Sequence, residues 1–424
     1  MDKKSKSNYL LTLVIIGVAF FIIGFGVGIN GIMVPILEGA FSLSKGMSYL
    51  VLTATFSAFL IFGGPAGALI KRIGYKRSMI IALLIMALGM LLFIPSARMS
   101  ATLAGFYMFL VASFIGGIGN TLLQAAVNPY VTICGPIESA AQRMCFMGIL
   151  NKSAWYLGPI FLSLFIDVKN PLMDYAHIPF GLASVVIILL AILIHFVSLP
   201  EVKAIGEEEN IQDYGDDSNI IVANKKKNIS QFPHLILGAI ALFIYVGVET
   251  LPMASAIDFA KAIGLDNPAQ YSGIVSIGLV IGYIVSILLL QMMHQKKALI
   301  LFTLIALLAS FALIMLPAKQ AIYSLGVLGF SHSLMWGTIW ALAIDKLGKF
   351  TKSGSSILVM AIVGGAILPL IFGFILDAIK TTGIDIQPTD FQKGYWLFIP
   401  CYLYILFYAV YGHKIGLKKQ YQNM

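Results

Sequence analysis

About twelve long apolar runs, divided into two sixes by one charged segment, constrain this chain more than any other feature. Between Tyr9 and Gly412 the residues are overwhelmingly Leu, Ile, Val, Phe, Ala and Gly. Charges gather in short clusters between runs of roughly 20 residues, the length of a helix that crosses a bilayer core. Such runs face lipid, so the few polar groups inside them mark the places to look for function. The pattern predicts an all-α polytopic membrane protein.

The runs fall at roughly 9–35, 47–70, 78–96, 102–127, 145–167, 178–199, then 233–256, 271–293, 298–317, 321–345, 355–376 and 394–412. The segment 200–232 carries Glu207, Glu208, Glu209, Asp213, Asp216 and Asp217, then Lys225, Lys226 and Lys227, a block that reads as solvated. It separates residues 1–199 from 233–424, two halves of similar length with six runs each. This resembles the plan of a major facilitator, which implies two six-helix bundles rocking about a site at the midplane.

Composition agrees: 59% of residues are hydrophobic, 11% are charged and mean hydropathy is +0.91, against about 25% charged in soluble domains. The formal charge of +9 raises the question of nucleic acid. Its distribution answers it, because of 28 Lys and Arg, 20 lie in segments on one side, 7 on the other, and Lys152 inside a run. The positive-inside rule makes the richer side cytoplasmic and puts both termini there. A multi-pass protein of a bacterial inner membrane is expected, with no nucleic-acid partner. Lys3, Lys4 and Lys6 precede a run too long for a signal peptide, so the first span is expected to stay. Cys134, Cys145 and Cys401 show no metal or redox spacing; neither metal nor cofactor is expected.

After the second run, Gly67-Ala-Leu-Ile-Lys71-Arg72-Ile-Gly74-Tyr75-Lys76-Arg77 resembles the signature cytoplasmic loop of major facilitators. Its glycines allow a tight turn and its basic residues sit at a helix end; Lys71 stands where that pattern usually has Asp. Gly26-Val-Gly28-Ile-Asn-Gly31 formally matches a nucleotide-binding fingerprint, but it lies inside a span with no preceding strand. Gly24 and Gly28 instead read as small residues for close helix packing.

In the fourth run Gly116, Asn120, Gln124 and Asn128 recur every four residues and share a helical face. Three amides are costly against lipid and suit a wet cavity for a hydroxyl-rich ligand; the plain alternative is interhelical hydrogen bonding. Pro129 is expected to end the regular helix. Asn151 and Trp155 lie one turn apart in the fifth run, an amide beside a flat ring, which suits a sugar's hydroxyl rim and C–H face. Tyr245 and Glu249 share a face of the seventh run, and His332, Trp336 and Trp340 one of the tenth. Packing or an interfacial belt position is the alternative for any single Trp. A hydrogen-bonded helix contact is the simpler reading of His332.

Two ionisable residues are deep. Glu249 lies about 20 Å into its run and Lys152 about 10 Å, at roughly 1.5 Å per residue. An unpaired charge at mid-span costs about 2.5–3.5 kcal/mol, so Glu249 is expected to face the cavity, find a cation or be protonated. Lys152 either snorkels to the cytoplasm or serves the site.

The stretch Gln124-Ala-Ala-Val-Asn128-Pro129-Tyr130-Val-Thr-Ile-Cys-Gly135-Pro136-Ile-Glu138 with Arg143 closely resembles the fucose/galactose/glucose–proton symporter family of major facilitators. So do Asn30 with Pro35, Tyr245-Val-Gly-Val-Glu249, and the stretches 341–344, 354–356 and 359–365; the likeness spans nearly the whole chain. It implies a sugar transporter working by alternating access, cation-coupled import with a proton or sodium, and a monomer. Two acidic positions that the family associates with coupling are neutral here, at Gly31 and Gln124, and the residue after Asn151, commonly small, is Lys152.

The expected sugar site is Asn30, Asn120, Gln124, Asn128, Asn151, Trp155, Trp336 and Trp340, with Glu249 and Lys152 as coupling groups. Alternatives are an anionic or amino sugar drawn by Lys152, an uncoupled facilitator, or a non-transporting sensor of the same fold. An enzyme is not expected, for no nucleophile–base or metal constellation appears.

Overall fold

The computed structural model describes residues 3–99, 102–133, 140–167, 175–197, 228–345, 350–380 and 385–417, together with Met173, Leu199 and Leu347. The charged segment up to Lys227 therefore lies outside the described residues, as does the Gly135-Pro136-Glu138 stretch.

Eleven helices among the described residues are long and apolar enough to cross a membrane. They are α1 (Thr12–Phe41), α2 (Leu50–Ile70), α3 (Arg72–Arg98), α4 (Leu103–Asn128), α6 (His177–Phe196), α7 (Pro233–Ile263), α8 (Ala269–Met292), α9 (Gln295–Met315), α10 (Ala318–Ile344), α11 (Ser356–Ile379) and α12 (Pro388–Lys414). The twelfth, α5 (Ala140–Ser163), is as long at 24 residues. Arg143, Asn151 and Lys152 make it the least lipid-like of the set, and its polar residues turn out to face protein.

Local chemistry explains the joints. At Gly74 the chain turns from α2 into α3 with φ 81° and ψ 170°, a backbone that side-chain-bearing residues rarely adopt. Gly264 ends α7 in the left-handed conformation. The fourth helix does not stop at Pro129: it runs on to Ile133. A proline inside a span loses one backbone bond, which surrounding protein tolerates, and Arg143 of α5 supports the last turn by donating from Nε to the Val131 carbonyl at 3.0 Å.

Within the N-terminal six, α1 packs on α5, and α2 and α3 on α4 and α6; within the C-terminal six, α10 packs on α7, α8 and α9, and α12 on α7 and α9. Gly24 and Gly28 of α1 meet the α5 backbone at Asn151 and Trp155, the latter so close that a Cβ on Gly28 would lie 2.8 Å from the Trp155 carbonyl. Among the described residues the main contacts between the two sixes are α5 with α8, α2 with α11, and α1 with α7. If α7–α12 repeat α1–α6, the first two are the same seam twice, since α5 corresponds to α11 and α8 to α2.

Candidate substrate-binding site

Midway along these seams lies a cavity of about 120 Å³. Its walls come from both sixes: Phe20, Ile23 and Val27 of α1, Phe56 of α2, Gln124 and Asn128 of α4, Gly148, Asn151, Lys152 and Trp155 of α5, Val246, Glu249 and Thr250 of α7, Tyr283 of α8, Trp336 of α10 and Ile362 of α11. A water occupies about 30 Å³ and ligand pockets usually exceed about 300 Å³, so this cavity is contracted relative to an open ligand pocket.

Its electrostatic centre is an ion pair between the sixes. Lys152 Nζ lies 3.0 Å from Glu249 Oε1, with both side chains 8% exposed. The ammonium also sits 3.4 Å from the centroid of the Trp155 ring. Tyr245 donates from its hydroxyl to the same Glu249 oxygen at 2.8 Å and lies 3.1 Å from the His332 carbonyl. Lys152 therefore does not snorkel; its charge is spent inward on Glu249 and an aromatic face. The two charges cancel and leave a neutral cavity.

The amides serve partly as scaffold. Asn151 donates from Nδ2 to the Phe20 carbonyl at 2.9 Å, tying α5 to α1. Gln124 donates from Nε2 to Asn120 Oδ1 at 3.1 Å. Gln124 and Asn128, half-buried, keep polar atoms for a ligand on the wall.

Seven expected residues thus line the cavity: Gln124, Asn128, Asn151, Lys152, Trp155, Glu249 and Trp336. Three do not. Asn30 is buried and donates to Thr55 Oγ1 at 3.2 Å, a tie between α1 and α2. Asn120 is buried behind Gln124. Trp340 packs on Trp336 with ring centroids 5.5 Å apart. His332 is fully buried and shares a 2.7 Å hydrogen bond between Nε2 and the Tyr402 hydroxyl, the helix contact expected of it. Sequence reasoning missed Tyr283, Thr250 and the apolar wall of α1. Thr250 follows Glu249 directly and was within reach of inspection; Tyr283 carries no local signal.

Toward the end of the bundle where α1 turns into α2, the cavity is sealed in two layers. The first is apolar: a Cβ on Gly31 would lie 2.9 Å from the Met253 methyl, so this thioether fills the space beside Gly31. The second is polar. Lys45 binds Glu38 of α1 and, at 2.7 Å, Asp258 Oδ2 of α7. The backbone N–H groups of Lys45 and Gly46 donate to the Asp377 carboxylate of α11 at 2.9 and 2.7 Å. Burial alone would lower the Lys45 ammonium, but Asp258 and then Glu38 outweigh it and hold its pKa above the ordinary lysine value.

Twelve long helices among the described residues, a cavity between their two sixes and a latch across one end define a membrane carrier. The Major Facilitator Superfamily profile matches residues 16–371. A glucose/galactose transporter of Brucella abortus is 32% identical, with 97% of each chain covered. The L-fucose-proton symporter of Escherichia coli is 25% identical over 89% of each. The crystal structure of the transporter FucP in the outward conformation superposes with TM-score 0.68 at 24% identity, covering 95% of this chain and 98% of that one. The inward-open xylose transporter XylE from E. coli does so with TM-score 0.70 at 14% identity, covering 93% and 95%. The chain belongs to the major facilitator superfamily, and its relatives are transporters, not enzymes.

Proposed function

We propose that this protein is a cation-coupled hexose transporter of the inner membrane, working by alternating access with the cavity between the sixes as its sugar site. The observation that carries the reading is the cavity itself, walled by both halves and crossed by the Lys152–Glu249 pair. Residues 1–199 and 233–424 are the rocking units and 200–232 their cytoplasmic connection. The positive-inside distribution makes the latched end extracytoplasmic, so the conformation described is closed to the outside. A glucose/galactose transporter and a fucose–proton symporter among the relatives support a neutral monosaccharide and a proton.

Charge favours the neutral sugar over a sugar acid. A uronate would need Lys152 as its partner, and Lys152 is already committed to Glu249 at 3.0 Å. Gln124, Asn128 and the indole of Trp336 offer uncharged hydrogen bonding and one flat surface, the chemistry of a hexose ring. Coupling belongs to Glu249: protonation breaks its ion pair between the halves, and release of the proton restores it.

Labelled glucose and galactose in proteoliposomes test the reading. Counterflow plus accumulation driven by an inward proton gradient is expected, with excess unlabelled hexose competing. Saturable binding without counterflow would make the protein a sensor. Competition by glucuronate but by no neutral hexose would overturn the substrate class.

A further inference from the structure

The indole of Trp155, a cavity residue whose flat ring suits sugar stacking, presents a face to an ammonium. Lys152 Nζ sits 3.4 Å from the ring centroid, so that face is closed to a sugar. Both residues are buried, at 5% and 7% exposure. The indole Nε1 is enclosed and has no hydrogen-bond partner. Trp155 is therefore held by packing and by its contact with the cation.

We propose that Trp155 is a positioning residue for coupling: its ring holds the Lys152 ammonium while Glu249 carries the proton. This rests on the reading of Glu249 as the coupling group. Lys152 has two partners in the described state, the Glu249 carboxylate at 3.0 Å and the ring. When a proton adds to Glu249 the carboxylate becomes a neutral acid and the first partner is lost. An ammonium left alone in that setting would be costly. The ring's negative face offsets this without accepting a proton itself, and it attracts the cation most strongly when no anion compensates it. Trp155 thus gives the ammonium a partner that does not depend on the charge of Glu249.

The surrounding groups leave this role open to Trp155. On its own helix Glu249 meets the Tyr245 hydroxyl. From α8, Tyr283 lines the cavity. From α10 and α12, His332 interacts electrostatically with Lys152 and Tyr402 with Glu249. From α1 and α4 the wall is apolar or amide. None of these supplies a second anion to Lys152.

The test reads the proton directly in the purified full-length protein. The infrared band of the protonated Glu249 carboxyl, identified by its absence in Glu249→Gln, is titrated with pH. Trp155→Leu should lower the midpoint by less than about 1.5 pH units, the ceiling for a cation–π contact of about 2 kcal/mol at about 1.36 kcal/mol per unit, because part of that contact is already made beside the ionised carboxylate. Trp155→Phe, which keeps a ring and sacrifices no hydrogen bond, should lower it less. In a Lys152→Met background the Trp155→Leu change should move nothing further. An unshifted midpoint in both Trp155 variants, or the same shift with Lys152 absent, overturns the proposal. Because no sugar is present, failure here is distinct from failure of hexose transport, which the counterflow assay reads. Trp155→Phe keeps the test decisive should Trp155→Leu fold poorly.

Discussion

Glu249 and Lys152 are each tolerable inside the bundle only because of the other. Removing one partner of a buried pair typically costs about 3–5 kcal/mol, but Glu249 has an escape that a fixed charge lacks, since it can take a proton. Lys152→Met should therefore fold; sugar exchange should survive while accumulation falls. Glu249→Gln should likewise abolish accumulation against a gradient and leave exchange, measured as counterflow at symmetrical pH. Unchanged accumulation in Glu249→Gln would remove this residue from coupling and leave it a packing role. Substrate charge is read at the same position. If Lys152→Met lost glucuronate competition selectively and spared glucose, the neutral-sugar reading would fall.

At the scale of single helices, α1 and α5 approach so closely that side chains at two α1 positions have nowhere to go. Gly24→Leu or Gly28→Leu would drive a side chain into the backbone of Asn151 or Trp155. Either should cost at least about 1–3 kcal/mol by overpacking, seen as a lower Tm in detergent and reduced transport. That contact was legible in the sequence from small residues four apart, as were the span count and the split into sixes. The amide stripe of α4 was legible only in part. Each step of four residues advances about 40° beyond a full turn, so a stripe eight residues long drifts about 80°. Gln124 and Asn128 reach the cavity while Asn120 turns behind them. Asn30 and Trp340 lie outside for a related reason: periodicity gives the face of a helix, not which neighbour covers it. The partner of Lys152 could be named from sequence only as one possibility, because α5 and α7 are joined by no local signal.

Across the whole molecule, the two halves are latched at the end where α1 turns into α2. Gly373 and Gly46 touch there: a Cβ on Gly373 would lie 3.1 Å from both the Gly46 Cα and the Lys45 carbonyl. Gly373→Leu should therefore keep this end from closing and lower hexose counterflow. Counterflow equal to the parent's would show that transport does not need this contact. The raised pKa of Lys45 fixes the pH behaviour of the latch. Its contribution is complete below the ordinary lysine value and is lost only as pH rises through the still higher value of the closed state, so Lys45 stays charged at physiological pH. Lys45→Met should weaken the closed state and make Val27→Cys, on the cavity wall, react faster with an external membrane-impermeant thiol reagent. Reporter fusions in the 200–232 segment and beside Asp385 should give opposite sidedness; the same readout at both would overturn the twelve-span arrangement.

The space beside Gly31 belongs to the other half of the molecule, because the Met253 methyl of α7 fills it. A bulky side chain placed at position 31 therefore acts as a wedge, whereas a small one asks only that the flexible Met253 methyl swing aside. Gly31→Leu would hold the halves apart at the outer end, and shortening the opposing residue in Gly31→Leu/Met253→Ala would let them meet again. An aspartate at this position would meet the same Met253 methyl on closure, so the rotamer of Met253 would answer to it. The two positions form one steric unit divided between two bundles, and a change at either is read at the other.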